Sequence, residues 1–409
     1  MPPITTTSAL SERQFEVLVE ALSSDPTRRA ELTDLLREDH PVYDQRSAAA
    51  IVRMRGWILI ALSHVGLTDT ALLFVLEELD TGRDAYLVAA AARALRSYAN
   101  PVSAFAPFLM RAIANIRYHD EHVAFERYGE YAISATGTTA LSELLATLVW
   151  LGPHACEVLP ELEQLRENRG HGFSDKLLLE IERAQKAISA PARSTQHSTG
   201  TCCSLPLGLG DALSWAPGSR CGCETIDSTV FEDHDGGTVT FREFFRGHPS
   251  VVVFFYTRCD NPQKCSLTIT KLARLQNSLI ELGLAEQIRT AAITYDPAFD
   301  TPERLRGYAR NRGVLLNTNH RMLRAIDGVG ALRAHFKLGV NFVASLVNRH
   351  RIEVYLLDVA GGIAGSFQRV HWDEQKTVDR AVALLNERRR TALSSIAKKA
   401  VHLASDGRE

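Results

Sequence analysis

The sequence predicts an all-α domain followed by an α/β domain. From about residue 11 to residue 188, apolar residues recur at spacings of three and four, as in amphipathic helices. Beyond residue 230 the pattern changes to short continuous apolar runs that alternate with helical patterns. The length of 409 residues suits two or three domains rather than one.

Composition and charge indicate a folded, soluble protein. Hydrophobic residues make up 45% of the chain and charged residues 23%, enough apolar material for packed cores. The net charge of −2 creates no field that favours nucleic acid or an anionic membrane, so we expect no nucleic-acid partner. The N-terminus lacks a basic segment followed by an apolar one, and acidic residues interrupt the apolar stretch 57–79. We therefore expect a cytoplasmic protein without a membrane anchor.

The first domain, residues 1–188, is predicted to consist of antiparallel helix pairs. Short breaks such as Gly66, Asn100-Pro101 and Gly152-Pro153 separate helices of about ten to eighteen residues. The stretches 104–109 and 157–162 both read as helical with a proline at the same place. Such pairs resemble HEAT-type repeats, which form a solenoid that offers a docking surface for a protein partner, a peptide or a small-molecule substrate. A non-repetitive helical bundle is the alternative.

Residues 189–229 form a predicted linker that contains cysteines, and residues 230–390 form the second domain. Residues 251–256 have the apolar, β-branched character of a strand buried on both faces. The following elements are expected in this order: a helix from about 266, a strand at 288–295, a helix at 303–311, a helical stretch at 322–336, strands at 352–358 and 363–370 around a Gly361-Gly362 turn, and a helix from 373. The βαβ unit followed by ββα is the order of a thioredoxin fold. Residues 391–409 form a terminal helix or tail.

Cysteines are concentrated in one region, with six of the seven between residues 202 and 265. Because cytosolic thiols are kept reduced, this favours metal binding or redox chemistry over structural disulfides. Cys259 and Cys265 lie between the predicted central strand and the next helix, where backbone N–H groups and the helix dipole stabilise thiolates. Thiolates prefer Cu(I) or Zn.

His350 precedes a predicted strand that runs antiparallel to the cysteine-bearing strand. The start of one strand then lies beside the end of the other, so His350 can face both cysteines. Two thiolates and an imidazole suit three-coordinate Cu(I) and can accept a further ligand for Cu(II). The alternative is a solvated loop histidine without a metal.

Residues 230–388 resemble the SCO/SenC family of copper-binding thioredoxin-like proteins. The matching stretches are 255–259 with Cys265, 293–297 with 300–302, and His350 ahead of 354–358. The resemblance implies that Cys259, Cys265 and His350 bind copper and that the cysteines cycle between dithiol and disulfide. This chain has Arg349 where family members usually have an aspartate, and five residues separate its two cysteines where many members have three.

Four further cysteines are candidate ligands. Cys202, Cys203, Cys221 and Cys223 could hold additional copper or zinc, although neither pair has the spacing of common zinc modules. A disulfide or thiol relay to Cys259 and Cys265, or free thiols, are the alternatives.

The sequence thus predicts a copper-binding protein that delivers copper as a metallochaperone or uses it with a redox-active cysteine pair as an oxidoreductase. A metal-free thiol-disulfide oxidoreductase and a non-catalytic HEAT-type scaffold are the competing hypotheses. Peroxidase chemistry is disfavoured, because the chain lacks the Pro-x-x-x-Thr-x-x-Cys motif associated with peroxiredoxins. In that motif the threonine stands three residues before the cysteine, whereas Thr257 stands two residues before Cys259.

Overall fold

The computed structural model of the protein describes residues 10–128, 137–168, 172–191, 215–217, 226–387 and 390. The chain divides into two compact units. The first comprises Met1–Ser214 with Gly339–His350, and the second comprises Trp215–Leu338 with Arg351–Glu409.

The first unit is built mainly of helices. They are α1 Glu12–Ser23, α2 Arg29–Asp34, α3 Ala48–Val65, α4 Asp69–Thr81, α5 Ala85–Leu95, α6 Ala106–Ile116, α7 Ala140–Leu151, α8 Leu159–Glu167 and α9 Asp175–Ile188. Helices α1, α3, α5, α7 and α9 pack in succession, each against the next, and α4 packs against α6. This layering is how stacked helix pairs bury their apolar faces. A helical N-terminal region is confirmed, whereas the HEAT assignment stays a prediction.

Capping residues set the helix ends that the sequence indicated. Gly66 ends α3 with a φ of 90°, which glycine adopts without steric cost. Pro107 and Pro160 lie in the first turns of α6 and α8, where a missing backbone N–H breaks no helical hydrogen bond. The sequence showed no strand here, yet β1 (His122–Val123) pairs with β2 (Thr138–Thr139) in a minimal antiparallel ladder.

Helix α3 is central to this unit and packs closely against α5. A Cβ atom on Gly56 would lie 2.0 Å from Tyr86 Cε1, so only glycine permits this approach. By length and composition α3 could also cross a membrane, and 56% of it is buried inside the protein. Core helices of soluble proteins share these properties, so one such helix is weak evidence for a membrane span.

The second unit is a mixed eight-stranded sheet with helices. Its strands are β3 Ala216–Pro217, β4 Val230–Asp233, β5 Thr238–Thr240, β6 Ser250–Phe255, β7 Arg289–Thr294, β8 His320–Asp327, β11 Glu353–Leu357 and β12 Ile363–Gln368. Its helices are α10 Phe241–Phe245, α11 Leu267–Glu281, α12 Pro302–Arg310, α13 Val329–Phe336 and α14 at 374–387. The strand order is β3-β12-β11-β6-β7-β8-β4-β5.

Strand β6 lies in the middle of this sheet, and all six of its residues are buried. It runs parallel to β7 and antiparallel to β11, which confirms the predicted βαβ and ββα units of a thioredoxin-like fold. The predicted helical stretch 322–336 is wrong in its first part, because β8 extends to Asp327 and only α13 is helical. Parallel pairing with β7 and antiparallel pairing with β4 decide this stretch, and both are tertiary contacts.

A hairpin that the sequence did not predict precedes β11. Strands β9 (Val340–Val343) and β10 (Leu346–His350) pair antiparallel, with His350 opposite Val340. The hairpin belongs to the first compact unit.

Candidate metal centre

The two cysteines follow strand β6 on the loop that leads into α11. Cys259 is half-buried, four residues beyond the end of β6. Cys265 lies in a π-helical turn, Pro262–Ser266, and is 1% exposed. The Asn261 side chain starts this turn by accepting a hydrogen bond from the backbone N–H of Gln263 at 3.0 Å. The predicted position at the junction of strand and helix is confirmed.

Burial shapes the chemistry of these thiols. It raises the pKa of the Cys265 thiol well above its ordinary value, and the hydrogen bond to Cys259 acts in the same direction. Burial also raises the pKa of the neighbouring Tyr256 phenol, and the charge of Cys259 adds to that shift. Cys265 without a metal is therefore a thiol at neutral pH and a weak nucleophile.

His350 is the last residue of β10 and is 5% exposed. The sequence placed it in a loop ahead of a strand, whereas the structure places it at the end of a strand within a hairpin. Its side chain therefore extends from a hydrogen-bonded ladder, because Val340 pairs with it in register.

Cys259, Cys265 and His350 come together. One ligand atom from each, two Sγ atoms and an imidazole nitrogen, lies within 4.8 Å of the other two. Among the residues that the structure describes, no other group of three or more His, Cys, Asp or Glu side chains satisfies this criterion. Two soft sulfur donors and one nitrogen donor in a buried position fit Cu(I) by their chemistry.

Carboxylates behind the loop hold the residues that lead into Cys259. Asp300 is fully buried and accepts hydrogen bonds from the hydroxyl groups of Thr257 and Thr294 and, at 3.2 Å, from the Thr257 backbone N–H. Arg258 is ion-paired with Asp296, and its guanidinium lies 4.0 Å from the centre of the Phe299 ring. These contacts fix the backbone on the strand side of Cys259.

The sequence does not indicate that residues outside the ligand set hold the cysteine loop in place. Asp296 and Asp300 lie in stretches that resemble the SCO/SenC family, but the resemblance implies no role for either residue. His371 donates from Nε2 to the Gln263 carbonyl, 2.8 Å away, and so holds the loop between the cysteines. Glu353 is fully buried and accepts hydrogen bonds from the Tyr295 and Tyr355 hydroxyls. The distance of His371 from the cysteines along the chain left no local signal for its role.

The upstream cysteines lie outside the described residues. Cys202, Cys203, Cys221 and Cys223 therefore stay predicted ligands for additional copper or zinc. Cys156, in the first unit, is an exposed free cysteine. Its neighbours form a 3₁₀ segment in which only Gly152, Ala155 and Val158 are buried.

Comparison with known proteins gives a family for part of the chain. Residues 226–386 match the sequence profile of the SCO1/SenC family, and residues 1–225 lie outside this match. A search of curated proteins found no match.

Three solved structures illustrate the similarity. A SCO1/SenC family lipoprotein from Bacillus anthracis is 18% identical, with a TM-score of 0.35, over 42% of this chain and 97% of that one. ScoI of Bradyrhizobium japonicum with copper bound is 18% identical, with a TM-score of 0.31, over 39% of this chain and 96% of that one. Yeast Sco1 with copper bound is 23% identical, with a TM-score of 0.30, over 39% of this chain and 90% of that one.

Proposed function

We propose that this protein binds Cu(I) through Cys259, Cys265 and His350, and that it passes the metal to a recipient or uses it together with the cysteine pair. The observation that carries the proposal is the convergence of two thiols and one imidazole within 4.8 Å. The match of residues 226–386 to a family of copper-binding thioredoxin-like proteins supports the same ligand set.

The residues of the site account for how copper would be held. Two thiolates more than offset the single positive charge of Cu(I) and satisfy its preference for soft donors, and the imidazole adds a third donor. When bound, the metal supplies a one-electron redox couple beside two thiols that can form a disulfide. Asp300 and His371 keep the cysteine loop in place, since each fixes the backbone within two residues of a ligand.

The environment of Cys265 favours a metal over a free nucleophile. A buried thiol with a raised pKa gains little reactivity at neutral pH, whereas metal coordination drives its deprotonation. The expected thiol chemistry of the apo protein therefore depends on Cys259, the more exposed of the two.

A metal-free thiol-disulfide oxidoreductase is the second candidate. The two thiols are close enough to hydrogen-bond, which is the arrangement in which one thiolate attacks a disulfide and the other resolves the mixed disulfide. The helical unit would serve either function as a HEAT-like docking surface for a protein partner, a peptide or a small molecule. We further propose that the protein acts in the cytoplasm.

Anaerobic Cu(I) competition titration of the reduced full chain tests the main proposal. We expect the wild type to bind at least one equivalent. Cys259→Ser/Cys265→Ser should lose one equivalent, and His350→Ala should bind more weakly. Cys156→Ser is the matched control, because it removes an exposed thiol outside the site and should change nothing.

Equivalents beyond the first would be assigned to Cys202, Cys203, Cys221 and Cys223 if replacing these four with serine removes them. Unchanged copper binding in Cys259→Ser/Cys265→Ser would contradict the proposed site. Turnover of a disulfide substrate by the metal-free wild type would then favour the oxidoreductase.

A further inference from the structure

The hairpin that ends in His350 is bonded to α4 and to the loop before α3 in the first compact unit. Arg349, the residue before His350, is ion-paired with Glu78 of α4. Asn348 Nδ2 donates a hydrogen bond to the Arg46 carbonyl at 2.8 Å. The Ala344 backbone N–H donates to Gln45 Oε1 at 3.3 Å. Strand β10 is thus held by side-chain contacts at its last residues as well as by its pairing with β9.

The carboxylate that receives Arg349 is itself fixed. Glu78 is 4% exposed, and its Oε1 atom also lies 3.2 Å from Nη2 of Arg55. Arg55 is fully buried, and its Nη1 atom lies 3.5 Å from a carboxylate oxygen of Glu38. Two arginines and two glutamates therefore form a charge-balanced network in the interior of this unit, which we call the Glu78 network. Buried ion pairs of this kind favour one arrangement, because breaking a pair leaves a charge without compensation.

We propose that Arg349 and Glu78 are positioning residues for the metal centre, which hold the end of β10 and through it the imidazole of His350. This inference rests on the proposed function, because it requires His350 to be a metal ligand. A donor that is already held in place loses less conformational freedom when it coordinates. Loss of a residue that orients a metal ligand typically weakens metal binding about 10–100-fold.

Arg349 can influence the proposed ligand because the two residues are adjacent in β10. Arg349 directly precedes the proposed ligand His350, so its positive charge lies close to the site. Its pairing with Glu78 compensates that charge and converts the side chain into an anchor. Arg349 thereby supports the proposed metal centre without coordinating the metal.

Cu(I) competition titration of variants on the full chain tests this role. Arg349→Gln removes the ion pair between Arg349 and Glu78 and leaves Glu78 paired with Arg55. Glu78→Gln removes the same ion pair by changing the residue in α4. We expect each to weaken Cu(I) binding about tenfold. Arg349→Lys keeps the charge and should restore most of the affinity. Glu143→Gln is the matched control, because Glu143 is a buried carboxylate paired with Arg93 and Arg96 in the same unit.

A double-mutant cycle separates positioning from a general loss of stability. In the His350→Ala background, Arg349→Gln should cause no further loss of affinity, because its effect passes through the imidazole. An additive loss would overturn the proposal, as would wild-type affinity in both Arg349→Gln and Glu78→Gln. An equal loss in Glu143→Gln would also overturn it.

Hydrogen exchange of the metal-free protein provides a readout that does not depend on copper. The backbone amides of residues 346–350 should exchange faster in Arg349→Gln and Glu78→Gln than in the wild type and Glu143→Gln. If the exchange of these amides is the same in Arg349→Gln and Glu78→Gln as in the wild type, the ion pair does not hold the end of β10, even if copper binding is confirmed. Faster exchange together with wild-type copper affinity in His350→Ala would instead show that the ligand assignment has failed, and the positioning role with it.

Discussion

At the scale of single residues, the candidate site combines thiols of unequal exposure. Cys265 is buried and its pKa is raised by desolvation, whereas Cys259 is half-buried. A metal ion must displace the thiol protons, so protons and copper compete for the same sulfur atoms. The difference in exposure also indicates that an incoming copper donor or disulfide would meet Cys259 first.

The affinity for Cu(I) should therefore rise with pH. The raised pKa of Cys265 keeps its thiol protonated in the free protein at pH 6 to 8, so each unit of pH gained should tighten binding about tenfold per protonated thiol. Competition titrations at pH 6, 7 and 8 measure this dependence. An affinity that stays constant over this range would show that the buried thiol is not a ligand.

At the scale of secondary-structure elements, close approach of helices depends on one small residue. Gly56 in α3 faces the ring of Tyr86 in α5, and that ring also packs against Phe125 with ring centres 5.7 Å apart. Tyr86 is 4% exposed and so has little space to move away from an added methyl group. The packing of α3 on α5 matters for the site hypothesis because Arg55, beside Gly56, belongs to the Glu78 network.

Gly56→Ala should destabilise the helical unit by about 1–3 kcal/mol, the usual cost of overpacking. The better helix propensity of alanine offsets up to about 1 kcal/mol of this. Gly307→Ala in α12 is the control, because no atom lies within 4 Å of its added Cβ. Thermal unfolding followed by circular dichroism should show a lower midpoint for Gly56→Ala alone. Equal midpoints for the two variants would mean that the Tyr86 ring relaxes freely.

At the scale of the whole molecule, metal binding and folding are linked. His350 lies far along the chain from Cys259 and Cys265, so only the folded protein brings all three proposed ligands together. A ligand that binds the native state alone stabilises it in proportion to the logarithm of its concentration over Kd.

Saturation with Cu(I) should therefore raise the unfolding temperature. At one hundred times Kd the expected stabilisation is about 2.7 kcal/mol. For a domain of about 150–250 residues, a stabilisation of that magnitude corresponds to an increase of about 5–10 °C in Tm. Anaerobic differential scanning calorimetry would measure the shift in the wild type and its absence in Cys259→Ser/Cys265→Ser. A shift of equal size in the double variant would place the copper elsewhere.

The local pattern of residues was enough to predict several features of this protein. The apolar run at 251–256 predicted a buried central strand, because a strand covered on both faces has no polar side. The position of both cysteines between this strand and the next helix was predicted correctly, because strand, loop and helix follow each other directly in sequence. Helical periodicity likewise indicated the helical N-terminal region.

Tertiary structure alone decided the remaining features. Residues 320–327 form a strand because β7 on one side and β4 on the other supply its hydrogen bonds. The hairpin that carries His350, the Asp300 and His371 supports, and the ion pair from Arg349 to Glu78 join residues remote in sequence. Periodicity and spacing report only local geometry, whereas these contacts depend on how the chain folds back on itself.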